Sequence, residues 1–211
     1  MLITRIDPKK PDAAALKSAI AALRSGGLVV YPTETAYALG CDPMSAKAVK
    51  RLFSVKRRDA SKPLPLIAAS AAMARRFLKL DRYAAALAEA FWPGPLTIVS
   101  VGVRKLAHGV ASKNGELAVR VSPHGVADAL SAALGRPIVS TSANRSGRAT
   151  GYDVPSVLAD VGPLPDLVLD AGALKKAPVS TIVRPSGGVI EILREGPVTE
   201  DALHRALMRS L

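Results

Sequence analysis

Lys56-Arg57-Arg58 and Ser140-Thr141-Ser142-Ala143-Asn144 are the segments of this 211-residue chain best equipped for chemistry. Arg58 can grip phosphate oxygens through paired hydrogen bonds, and Lys56 can add a mobile point charge. The side chains of Ser140, Ser142 and Asn144 can bond the oxygens and sugar hydroxyls between those cations, so the two segments together read as a nucleotide site. Each also has a plainer reading. A basic triplet near a helix end is favoured by the helix dipole on a solvated face, and a hydroxyl-rich stretch is ordinary in a capped turn.

Other candidates lie beside apolar runs. Tyr31-Pro32-Thr33-Glu34-Thr35 places hydroxyls and a carboxylate just past a short buried strand, where open α/β sheets bind ligands; a polar turn is the alternative. Arg120 interrupts the apolar run Leu117-Ala118-Val119-Arg120-Val121, and a guanidinium there needs an anionic partner. That partner is either a ligand carboxylate or one of the chain's own acids. Ser180-Thr181 and Arg194-Glu195-Gly196 repeat the pairing of hydroxyls with a cation in the last third. The chain has no Gly-x-x-x-x-Gly-Lys-Ser/Thr loop, no Gly-x-Gly-x-x-Gly fingerprint and no zinc-spaced His/Cys cluster. His108, His124 and His204 are scattered, so no protein-held metal is expected.

The elements that must position these groups follow from periodicity. Helices are expected over residues 11 to 25, 45 to 55, 71 to 78, 82 to 91 and 124 to 134, and in the tail after Glu200. Strands are expected at 28 to 31, 64 to 69, 96 to 101, 117 to 121, 137 to 140, 167 to 170, 179 to 184 and 188 to 193. Ala36-Tyr37-Ala38-Leu39-Gly40 reads as packing and turn. The order mixes βα units with a strand-rich later half, and no linker or repeat divides it, so one α/β domain over residues 1 to 211 is expected.

Lys+Arg 29 against Asp+Glu 17 gives a net charge of +12, which favours polyanionic partners such as nucleotides or tRNA. Aromatic residues at 4% argue against a base-stacking platform for single strands. The single Cys41 excludes an internal disulfide and points to a reducing compartment, with cytoplasm as the default. No stretch approaches the length of a membrane span and the N-terminus lacks a signal-peptide core, so a soluble protein is expected.

With these residues in view, the chain resembles the YrdC-like family of threonylcarbamoyl-AMP synthases, in the short form without an extra C-terminal domain. The resemblance spans roughly residues 15 to 200 and rests on Tyr31-Pro32-Thr33-Glu34-Thr35, Lys56-x-Arg58 and Trp92-Pro93-Gly94-Pro95-Leu96-Thr97. It continues through Ala118-Val119-Arg120-Val121, Ser140-Thr141-Ser142-Ala143-Asn144, Ser180-Thr181-Ile182-Val183 and Leu193-Arg194-Glu195-Gly196.

It implies a twisted open mixed sheet flanked by helices, with a basic concave face where ATP, L-threonine and bicarbonate form threonylcarbamoyl-AMP and pyrophosphate for tRNA modification. Thr35, Arg120, Ser140 and Ser180 would hold threonine, Arg120 through the carboxylate. Lys56, Arg58, Ser142, Asn144 and Arg194 would hold the nucleotide, with Lys56 and Arg58 stabilising charge during the reaction. Lys62 occupies an ATP-contact position where relatives commonly have Asn. Mg²⁺ would ride on the ATP phosphates, and tRNA or a threonylcarbamoyl-transferase would be the onward partner. Ala38 stands where the family often has Gly, and Ile67 where some members have a threonine-contacting His. Tyr37-Ala38-Leu39-Gly40-Cys41 also resembles a paralogous branch, for which a non-catalytic RNA- or nucleotide-binding module is the competing reading.

Overall fold

Short apolar strands and side-chain-capped helices alternate along the chain, of which the computed structural model describes residues 1–59 and 62–210. The first half runs β1 (Leu2–Arg5), α1 (Ala13–Arg24), β2 (Val29–Pro32), β3 (Tyr37–Gly40), α2 (Ala46–Lys56), β4 (Leu66–Ala68), α3 (Ala71–Arg75), α4 (Arg82–Phe91) and β5 (Leu96–Val101). The second runs β6 (Glu116–Val121), α5 (Gly125–Leu134), β7 (Ile138–Val139), β8 (Thr141–Ser142), α6 (Val154–Val161), β9 (Leu167–Asp170), β10 (Thr181–Ser186), β11 (Val189–Arg194) and α7 (Glu200–Ser210). Asp12, Ser45, Ser70, Asp81 and Asp153 each accept a first-turn backbone N–H, which is why their helices begin where they do.

The expected open, mixed α/β architecture is present, with its strands shared between two sheets of order β1-β9-β2-β3-β8 and β11-β10-β5-β6-β4-β7. The chain changes sheet at one residue. Val139 pairs with Leu66 of β4, Thr141 pairs with Leu39 of β3, and Ser140 between them donates its backbone N–H to Pro65 O at 2.8 Å. A strand expected over 137 to 140 is therefore two short ones that join the sheets.

Strand β2 explains its own apolar run, because alternate residues enter different cores. Val29 and Tyr31 pack with Ile20, Leu23, Leu130 and Ile138, whereas Leu28 and Val30 pack with Leu39, Leu52, Leu66 and Val119. Tyr37–Gly40, expected as packing and turn, is buried throughout as packing requires but forms strand β3 instead of a turn. Its hairpin depends on Thr33, whose hydroxyl donates to Ala36 O at 2.7 Å while Thr33 N–H donates to the same oxygen.

Helix α2 ends in a way that separates the basic triplet. Arg57 takes φ 48°, the one positive value at a non-glycine among the described residues. Arg58 N–H bonds Phe53 O and Arg57 N–H bonds Ser54 O, the paired bonds of a Schellman turn. Lys56 is thereby buried, Arg57 is left in solvent, and Arg58 is turned toward the cavity described below. A left-handed residue with a Cβ costs roughly 1–2 kcal/mol, partly offset by the extra freedom of an unfolded glycine. Arg57→Gly should therefore stabilise the fold by about 0.5–1 kcal/mol, seen as a higher denaturation midpoint at unchanged slope.

Candidate active site

Along β6, residues two apart share a face, so Glu116, Ala118 and Arg120 together form part of the floor of one cavity. Thr97 and Val99 of β5, and Ile182 and Arg184 of β10, continue that floor. The cavity holds about 440 Å³ and gathers Thr35, Arg58, Lys62, Arg120, Ser140, Ser142, Ser180 and Arg194 from distant parts of the chain. Val99 and Ala118, paired across β5 and β6, and Ile182, beside Thr97, are the apolar part of this floor. Arg120, Thr97 and Ser180 lie toward one end of these strands, and Glu116 and Arg184 lie toward the other.

Of the predicted site residues, Lys56 and Asn144 stand behind the wall rather than on it. The Lys56 ammonium donates to Ser142 O at 2.5 Å, Asn144 O at 2.7 Å and Asn144 Oδ1 at 3.3 Å, so its donors meet three acceptors of one loop. Asn144 Oδ1 also accepts from Ser142 Oγ at 2.6 Å, and Asn144 Nδ2 donates to Arg148 O at 2.5 Å. Burial lowers the Lys56 pKa to about 8, with the Arg58 charge adding to the effect and Asp160 opposing it. Instead of the mobile point charge expected from sequence, Lys56 is a fixed strut beneath Ser142.

Arg58 Nη2 donates to Pro63 O at 3.0 Å, which ties the guanidinium to the segment that brings Lys62 to the cavity. Arg194 Nε and Nη2 both donate to Ser180 O, at 3.0 and 2.6 Å, and Nη2 also reaches Ser180 Oγ at 3.0 Å. Ser180 Oγ lies 2.8 Å from Thr97 Oγ1. Gly196 explains why a glycine follows this arginine. A Cβ there would lie 2.4 Å from Thr181 N, 2.5 Å from Val179 O and 2.7 Å from Ser180 C. The backbone carrying Ser180 is packed directly against it.

Arg120 is ion-paired to Glu34, so the alternative of an internal acid partner is realised, while the residue also lines the cavity. Burial brings its pKa down to about 10, with Arg194 adding to the fall and Tyr31 opposing it, so the guanidinium stays charged at neutral pH. His124 caps α5 through Nδ1, and burial followed by the Arg120 charge pulls its pKa below 6.5. The unfolded chain therefore binds the proton more readily than the native one. Stability from this group is present above pH 6.5 and is lost as pH falls toward the native pKa. His124→Asn keeps a capping side chain and should remove that part of the acid sensitivity in denaturation curves recorded between pH 7 and 5.

Sequence reasoning assigned no role to Glu116, Arg184 or Ser112. Arg184 holds Glu116 through two bonds, Nε to Oε1 at 2.8 Å and Nη2 to Oε2 at 3.0 Å. The available signal was spacing, since Glu116 precedes Arg120 by four strand residues and so shares its face.

A mixed α/β fold whose strand ends collect cations and hydroxyls around one cavity is suited to binding anions. The chain matches the Sua5/YciO/YrdC family, described as telomere recombination, over residues 21–196. It belongs to that family. It is 43% identical over 143 residues to a threonylcarbamoyl-AMP synthase of Halorhodospira halophila, covering 67% of this chain and 75% of the relative. The crystal structure of P. abyssi Sua5 complexed with L-threonine superposes with a TM-score of 0.91 at 29% identity, covering 98% of this chain and 61% of that one. This chain thus spans less than two thirds of the P. abyssi protein. E. coli YciO gives a TM-score of 0.85 at 26% identity, covering 93% and 97% of the two chains.

Proposed function

We propose that the chain is an L-threonylcarbamoyladenylate synthase, a nucleotidyltransferase that joins L-threonine, bicarbonate and ATP for modification of tRNA. The observation that carries this reading is the convergence of Arg120, Thr35 and Ser180 with Arg58, Lys62, Ser142 and Arg194 on a single cavity. It is supported by the threonine-bound P. abyssi structure and by the synthase relatives.

In this reading Arg120 pairs with the threonine carboxylate while Thr35, Ser140 and Ser180 hold its polar groups. The amine condenses with bicarbonate, releasing water and leaving a carbamate. A carbamate oxygen then bonds the α-phosphorus as the bond to the β-phosphate oxygen breaks, and pyrophosphate leaves. Arg58, Lys62 and Arg194 stabilise the phosphate charge, and Lys56 acts through the Ser142–Asn144 loop that it holds. Among the described residues no three His, Cys, Asp or Glu side chains are grouped to hold a metal, and the one cavity carboxylate, Glu116, is clamped by Arg184. In the same proposal Mg²⁺ would be carried by the ATP phosphates and would offset their charge. No protein nucleophile is needed, because positioning alone can supply on the order of 7–11 kcal/mol.

Among the described residues no helix is long and apolar enough to cross a membrane; the proposal places the activity in the cytoplasm. Pyrophosphate release at varied substrate concentrations tests the assignment. Arg58→Ala should raise the KM for ATP and Arg120→Ala the KM for threonine, each by about tenfold or more. Parent-like kinetics in both variants would defeat it, and ATP binding with no threonine dependence would favour a nucleotide- or RNA-binding module.

A further inference from the structure

Arg120 is built into the cavity wall with its side chain only 9% exposed, and its Nη1 meets Glu34 Oε1. Glu34 reaches it from the turn between β2 and β3. Its neighbours Thr33 and Thr35 line the cavity, and Glu34 is not among the lining residues. The second carboxylate oxygen of Glu34 accepts from Ser122 Oγ at 2.5 Å, and Ser122 Oγ accepts from His124 N–H at 3.1 Å. A continuous chain of polar contacts therefore runs from the N-cap residue of α5, through Ser122 and Glu34, to one corner of the guanidinium. Among the described residues no acceptor takes Nε or Nη2 of Arg120, and neither is counted among the fully buried unpaired atoms.

We infer that Glu34, held by Ser122, is a positioning residue that fixes one edge of Arg120 so that its other donors face the carboxylate of the amino-acid substrate. The inference rests on the proposed function. A guanidinium recognises a carboxylate as a planar fork, so binding depends on the plane being held as well as on the charge. Glu34 also neutralises a buried cation in the unliganded protein, where a lone charge would be costly.

These contributions have opposite signs in a binding experiment. Removing the charge of Glu34 strengthens the pull of Arg120 on an incoming carboxylate, whereas removing the tether frees the fork to leave its plane. Glu34→Ala removes both the charge and the oxygens that tether Arg120, so weaker threonine binding in this variant reports orientation and cannot come from the lost charge.

The test is calorimetric titration of the full chain with L-threonine and, separately, with ATP. Glu34→Ala should weaken threonine on the order of tenfold and Ser122→Ala by about threefold, with ATP affinity within about twofold of the parent. Threonine binding by Glu34→Ala as tight as the parent's or tighter overturns the inference. A parallel loss of threonine and ATP also overturns it, since that marks a general disturbance of the fold. Arg120→Ala separates the two levels of argument. If this variant binds threonine like the parent, the threonine site itself is misplaced and the positioning role falls with it; if it loses threonine while Glu34→Ala does not, only the positioning role fails.

Discussion

Lys56→Met should lower the melting temperature by about 4–8 °C, equivalent to about 2 kcal/mol in a chain of this size, and cut threonine-dependent pyrophosphate release by about a hundredfold. Methionine keeps an unbranched stem for a side chain that is 2% exposed in the native protein, so the change is chiefly the loss of the ammonium. Ser142 O, Asn144 O and Asn144 Oδ1 then lose their shared donor. Each bond to a charged group is worth about 1.5–3 kcal/mol, and part of that total is returned because a buried charge is no longer desolvated. The two readouts distinguish the roles open to this lysine. A strut beneath the loop moves both stability and turnover; a direct phosphate ligand would cost ATP affinity and leave the melting temperature unchanged.

Gly196→Ala should destabilise the fold by about 1–3 kcal/mol, because a methyl group would meet backbone atoms of Val179, Ser180 and Thr181 inside 3.0 Å. Those atoms belong to a segment pinned on both sides. Thr181 N–H donates to Pro95 O at 3.0 Å and Thr181 Oγ1 donates to Val198 O at 2.9 Å, leaving little room to retreat. The displacement passes to Ser180 and hence to Arg194, which holds its carbonyl. Threonine and ATP affinities should therefore fall together, in contrast to the selective losses expected at Arg120 and Arg58. Thermal unfolding with paired titrations checks this, and parent-like behaviour in both would show that the Ser180 backbone yields without consequence.

Much of this arrangement was legible in the sequence because it depends on local pattern. Helix α4 and strands β5 and β9 lie at the residues that periodicity indicates. The placement of Thr35 and Ser140 near strand ends also follows from where apolar runs stop, and that of Arg120 from its position inside one. What escaped depends on contacts between distant segments. Nothing local shows that Lys56 and Arg58 diverge, since the cause is an arginine held in a left-handed turn where glycine is usual. Tyr37–Gly40 lacks the polar alternation of a half-exposed strand because both its faces are covered. Helix α6 went unread although Asp153 and Ser156 form a capping box with a proline at the helix start, a signal that was available. The Glu34–Arg120 pair joins residues far apart in the chain; an internal acid is the commoner partner for such an arginine, but no local pattern singles out Glu34 among the chain's acids.

The most direct measurement is to incubate the purified chain with ATP, Mg²⁺, bicarbonate and L-threonine and to analyse the mixture by liquid chromatography and mass spectrometry. The account predicts threonylcarbamoyl-AMP and pyrophosphate in equal amounts, both disappearing when either threonine or bicarbonate is withheld. Binding of ATP without any adduct, under conditions in which an established synthase produces it, would contradict the account.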